Sequence, residues 1–184
     1  MSSSEAANRD ASQPNRRAML AVVLGAAALA GGCFQPLYAE NTRSIVGGSI
    51  KDTMKEVDVP EIKGLVGHYL RNELVFELDG GGEPDRTKRL KFNSSIAESI
   101  EVVTVDYANG RADSAILVAT ATWTVTEIAS GKVVSKGSNM VRAPYERSSQ
   151  RFATVRAARD AQIRAAKNLA TLIRGQIAAD LVAG

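Results

Sequence analysis

Between residues 115 and 126 the chain alternates with a period of two. Ala115, Leu117, Ala119, Ala121, Trp123 and Val125 are apolar, and Thr120, Thr122, Thr124 and Thr126 take the other side. Successive side chains of a strand point to opposite faces, so this segment predicts a sheet covered on one face and wetted on the other. Ala129-Ser130-Gly131-Lys132 then reads as a hairpin turn by its glycine and length, with a return strand from Val133 to about Val141. Upstream, residues 88–105 interleave Leu90, Phe92, Ile96, Ile100, Val102, Val103 and Val105 with polar groups, as one or two strands do.

Two segments carry helical spacing instead. After a short strand at Lys55–Val59, Pro60 opens a helix with Ile62, Leu65, Val66, Tyr69, Leu70, Leu74 and Leu78 on one stripe, weakened by Gly64 and Gly67 and ended by Gly80-Gly81-Gly82 and Pro84. From about Ser148 to Val182 the stripe is Phe152, Val155, Ile163, Ala166, Ala170, Ile173, Ile177 and Leu181. The order β-α-β-β-β-α predicts an α+β domain, with two helices packed on one face of a small mixed, mainly antiparallel sheet.

The N-terminus follows another logic. Residues 1–15 are polar, Arg16 and Arg17 follow, and Ala18–Ala30 is uncharged up to the small pair Gly31-Gly32. That is the three-part form of a secretory signal, and the run is too short to span about 30 Å of hydrocarbon comfortably. Arg16-Arg17 also faintly resembles a twin-arginine signal, so the export route stays open between the general secretory and twin-arginine pathways. Residues 1–32 are read as a cleaved signal peptide, 33–54 as an N-terminal tether that adds at most one short strand, and 55–184 as a single α+β domain. The sole cysteine, Cys33, closes Leu29-Ala30-Gly31-Gly32-Cys33, which looks like a bacterial lipobox. Lipidation there implies N-acyl and S-diacylglycerol groups, palmitate among them, and no other cofactor. Several acyl chains at about 0.8 kcal/mol per buried methylene hold a protein on a membrane.

Composition narrows the chemistry. One cysteine and one histidine exclude an intramolecular disulfide framework and a Cys/His zinc cluster, so no metal is expected. The formal net charge of +3 is too small and too evenly spread for a nucleic-acid footprint. No G-x-S-x-G, Walker, H-E-x-x-H or dinucleotide fingerprint occurs, no catalytic residue is assigned, and the expectation is a protein that is not an enzyme. His68 reads as structural, and Glu98 and Glu101 as solvated charges. Arg156, Arg159, Arg164, Lys167 and Arg174 share one flank of the last helix, where they either coat a wetted face or meet phosphates. Arg111, Lys132 and Lys136, near strand ends, are the candidates for contact with the phosphates of an anionic lipid.

Leu29-Ala30-Gly31-Gly32-Cys33-Phe34-Gln35-Pro36-Leu37-Tyr38 resembles the N-terminus of the lipopolysaccharide (LPS)-assembly lipoproteins of Gram-negative bacteria, although that family usually reads L-A-G-C-G-F before Q-P-L-Y. The resemblance continues through Tyr69-Leu70-Arg71-Asn72-Glu73-Leu74, Ala129–Lys132, Tyr145–Ser149, Phe152-Ala153 and Asp160-Ala161. It implies an α+β domain seated in a large outer-membrane β-barrel, the LPS translocon, as its plug and assembly partner. It further implies LPS as ligand, a periplasm-facing anchor in the outer membrane, and Cys33 as the lipid-bearing residue. Two rivals stay open: an auxiliary lipoprotein of an envelope ABC transporter, and a periplasmic hydrolase.

Overall fold

The computed structural model describes residues 42–80, 87–106 and 111–183; the signal segment, Cys33 and the first part of the tether lie outside them. The alternating segment forms the middle of a strand, β3 (Arg111–Glu127), and its apolar set from Ala115 to Val125 is buried as the pattern predicts. Residues 88–105 make one strand, β2 (Leu90–Asp106), because β3 offers a partner along its whole length, from Leu90↔Glu127 to Asp106↔Arg111, with register shifts around Thr104. The return strand β4 (Val133–Glu146) runs five residues past Val141, again because β3 continues to offer partners as far as Ser114. A two-residue β1 (Val57–Asp58) lies parallel to the start of β2, giving a four-stranded mixed sheet in the order β1-β2-β3-β4.

Residues 42–54 are more than a tether. Ile50–Lys55 form a helix, α1, capped by the Ser49 hydroxyl, which accepts from the Asp52 N–H (3.1 Å), and Ile50 and Met54 are buried in the core. The packed structure therefore starts ahead of Lys55. The short length of α1 hides it from a periodicity search, since six residues hold fewer than two turns.

The next helix, α2 (Leu65–Asp79), starts five residues after Pro60. Gly64 occupies its N-cap at φ 88°, and a Cβ on Gly67 would lie 2.8 Å from the Ile62 carbonyl oxygen. The lead-in containing Val59 and Ile62 folds back over the first turn, and only glycine admits that approach. Gly80, left-handed at φ 68°, ends the helix by donating its N–H to the Phe76 carbonyl.

The last helix, α3 (Arg151–Ala183), is 33 residues long and spans about 50 Å. With α2 it lies on one sheet face, where Leu70 and Leu74 from α2 and Leu169, Ile173, Ile177 and Leu181 from α3 meet Phe92 and Trp123. The two rings stack with centroids 6.0 Å apart, and the Trp123 indole N–H donates to Asn139 Oδ1 (2.7 Å). Gly137 lies opposite Trp123 on β4, and a Cβ there would sit 2.8 Å from the indole Cζ2. On the open face, an ion pair between Arg142 and Glu101 reaches across β3 and accounts for the burial of Val118, the residue paired with Arg142.

Candidate partner interface

The basic flank of α3 meets α2. Arg159 Nε donates to the Tyr69 hydroxyl (2.9 Å), Lys167 pairs with Glu73 (3.8 Å), and Arg174 pairs with Glu77 (3.4 Å). The residue numbers rise together, so the two helices run parallel. Arg164 is held by Asp160 (2.7 Å) and the Pro144 carbonyl (2.7 Å). Four of the five cations on that flank thus have partners inside the fold, and the helix-to-helix seam explains the stripe better than a phosphate site does. Arg156 differs: its guanidinium lies 5.8 Å from the Phe152 ring centroid, and no carboxylate meets it among the described residues.

The same ladder shows where the fold stops covering itself. Among the described residues, the last links between α3 and the rest of this face are Arg159 to Tyr69 and Gln162 to Glu98 (3.4 Å). Beyond them α3 extends eight more residues toward its N-terminus, about 12 Å, and β2 runs eight residues past Glu98, about 26 Å. Pairing of Phe92 with Val125 and of Ile100 with Leu117 puts the even positions of β2 on the helix side of the sheet. Ile100 (61% exposed) and Val102 continue the core pattern into solvent there, as do Phe152 (73% exposed) and Val155 on α3. Leu65, at the start of α2, is exposed as well. Phe152 and Val155 belong to the predicted core stripe of the last helix and lie outside the core, because α2 starts too late to cover them. The outcome is an apolar end with Arg151, Arg156 and Arg159 around it. Apolar residues left exposed at one end make this end the candidate interface.

The residues singled out in the sequence do not converge. Cys33 lies outside the described residues. Arg111 opens β3 opposite Asp106, at the tip of the strand pair. Lys132 is exposed in the β3–β4 turn, and Lys136 is exposed opposite Thr124, thirteen residues along β3 from Arg111, or about 43 Å. One lipid headgroup cannot reach all three, and only Arg111 lies at the apolar end. His68 is exposed beside Asn72 (3.4 Å) and edge-on to Tyr69. Glu98 and Glu101 point to opposite faces, one toward Gln162 and the other toward Arg142, so they form no acid–base couple. Among the described residues no group of three or more His, Cys, Asp or Glu gathers as for a metal, and no helix is long and apolar enough to cross a membrane.

The uncovered end was partly legible: Phe152, Val155, Ile100 and Val102 are all apolar positions of the sequence pattern, but which of them would be covered depends on where α2 starts. The seam with α2 was also encoded, since Glu73 and Glu77 stand one turn apart on one side of α2 and Lys167 and Arg174 two turns apart on α3.

No family model and no curated protein matches the chain. Among solved structures it is similar to a presumed lipoprotein from Caulobacter crescentus, with a TM-score of 0.61 and 21% identity over 73% of this chain and 97% of that one. It is also similar to a minor lipoprotein from Acinetobacter baumannii, with a TM-score of 0.50 and 13% identity over 67% of this chain and 89% of that one. These likenesses establish the α+β fold, which makes up nearly the whole of both of those chains.

Proposed function

We propose that this chain is a lipid-anchored envelope protein that partners and plugs the outer-membrane LPS-translocon barrel, assisting its assembly and the passage of LPS to the outer leaflet. The observation that carries the reading is the apolar end with Ile100, Val102, Phe152 and Val155 exposed, which the described helices leave open. Three further features support it: the signal-like N-terminus ending at Cys33, the run Phe34-Gln35-Pro36-Leu37-Tyr38, and a fold shared with two proteins described as lipoproteins. In this reading Cys33 bears the acyl groups, the protein acts by binding and catalyses nothing, and the apolar end faces the barrel interior and LPS. Of the three sequence candidates for LPS phosphates, Arg111 is the one whose strand position lies at that end. Lys132 and Lys136, at the other end of β3, belong to a different surface.

A detergent pull-down of the C-terminally tagged protein from outer membranes tests this. Recovery of one large barrel protein in near-equal amount is expected. Recovery with inner-membrane transporter subunits assigns the chain to an ABC-transporter auxiliary lipoprotein, and hydrolytic activity of a protein purified alone assigns it to a periplasmic enzyme.

A further inference from the structure

The opposite end of the molecule, where the tether enters, has a surface of its own. The Ile45 N–H donates to the Leu181 carbonyl (2.9 Å), which holds the loop Thr42–Ser49 against the last turn of α3. Arg89 donates to the Val46 and Gly47 carbonyls (3.2 and 3.4 Å), and its own carbonyl accepts the Ile128 N–H (2.9 Å), joining that loop to the β3–β4 turn. The Ser135 hydroxyl donates to Asp180 (2.5 Å) and fixes the start of β4 to α3. Three segments thus converge, and each presents an aliphatic side chain outward: Ile45 (43% exposed), Ile128 (54% exposed) and Val182; Val133, which opens β4, is exposed as well.

Charge at this end is layered. Arg43, Lys51 and Lys132 are exposed and meet no carboxylate among the described residues. The carboxylates are drawn back: Asp52, Glu127 and Asp180 are half-buried, and each accepts a serine hydroxyl, from Ser49 (2.8 Å), Ser130 (2.5 Å) and Ser135 respectively. Among the described residues the outermost shell is therefore aliphatic and cationic, the composition that suits the headgroup region of an anionic bilayer.

We propose that this end seats on the anionic phospholipid surface of the leaflet that holds the Cys33 anchor. Nine residue steps separate Cys33 from Thr42, a reach of about 32 Å at most, so an acylated Cys33 keeps this surface within that distance of the headgroups. Such tethering makes even weak contacts effective, because docking becomes intramolecular. The aliphatic side chains enter the acyl boundary, the cations pair with lipid phosphates, and α3 carries the apolar far end about 50 Å away. The inference rests on the anchored reading and not on the identity of the barrel partner.

The test uses the chain from residue 34 onward, with a histidine tag in place of Cys33, held on phosphatidylethanolamine–phosphatidylglycerol vesicles by a nickel-chelating lipid. Removing Cys33 leaves a single introduced thiol, Ile128→Cys or Phe152→Cys, to carry an environment-sensitive fluorophore. With headgroup-nitroxide lipids, strong quenching and a blue shift are expected at position 128 and not at 152. Arg43→Glu with Lys132→Glu is expected to reduce the seated population on the order of tenfold or more. No quenching at position 128 while the tag holds the protein, equal quenching at both positions, or indifference to charge reversal each overturns the seating. Flotation of the natively acylated protein with the same vesicles tests the anchor separately, so the two failures are distinguishable.

Discussion

Replacing Ile100 by Thr and Phe152 by Ser together separates a binding surface from a core. A fully buried Phe or Ile side chain contributes about 1.5–3 kcal/mol by leaving water. Phe152 is 73% exposed and Ile100 is 61% exposed, so only about a quarter and two-fifths of that area is lost from water, and no cavity opens when they are cut back. Thr keeps the β-branch that suits β2, and Ser is tolerated in the first turn of α3. The pair should therefore cost no more than about 2 kcal/mol, which lowers Tm by roughly 4–8 °C in a chain of this size. Ile173→Ala, fully buried between α3 and the sheet, should cost about 2–5 kcal/mol and serves as the reference. Thermal unfolding followed by far-UV circular dichroism measures both, and co-purification with the barrel is scored in parallel. The double variant is expected to stay folded and to lose its partner. A Tm loss equal to that of Ile173→Ala would refute the view of this end as uncovered, and full retention of the partner would refute its role as the interface.

Other outcomes follow from particular contacts. Gly137→Val pushes a branched side chain against the indole of Trp123, whose ring is fixed by Phe92 and Asn139; a loss of about 1–3 kcal/mol and an altered near-UV signal from Trp123 are expected on thermal unfolding. Glu77→Lys places like charges where Arg174 now has a carboxylate; because that pair is about a third exposed, the loss should stay near 1 kcal/mol and shrink with added salt in denaturant titrations. Cys33→Ser should remove the acyl mass from the mature protein and move it from the membrane to the soluble fraction; retention in the membrane would place the anchor elsewhere.

How far the sequence could be read depends on the kind of element. The alternation around Trp123 and the long stripe through Ile173 and Ile177 are repeated signals, and each appears in the fold where the pattern puts it. The misplaced features turn on single residues. Pro60 looks like a helix start, yet Gly64 and Gly67 mark the actual entry, because the chain must cross the Ile62 carbonyl at close range. Ser49 and Asp52 hold a helix of six residues that no periodicity reveals. Phe152 and Val155 carry the core spacing of α3 but lie beyond the reach of α2, and that length mismatch exists only once both helices are placed. Lys132 and Lys136 near the turn and Arg111 at the other hairpin tip stand at different strand ends already in the sequence, and the length and register of the 17-residue β3 add how far apart those ends lie.

The most direct measurement is site-specific photo-crosslinking in living cells from a benzophenone amino acid at position 152, with the same probe at position 140, exposed on the open sheet face, as comparison. A crosslink from position 152 to one large outer-membrane barrel protein is expected, with a weaker one, or none, from position 140. A crosslink from position 152 to inner-membrane transporter subunits, or no crosslink while the protein is folded and membrane-bound, would contradict it.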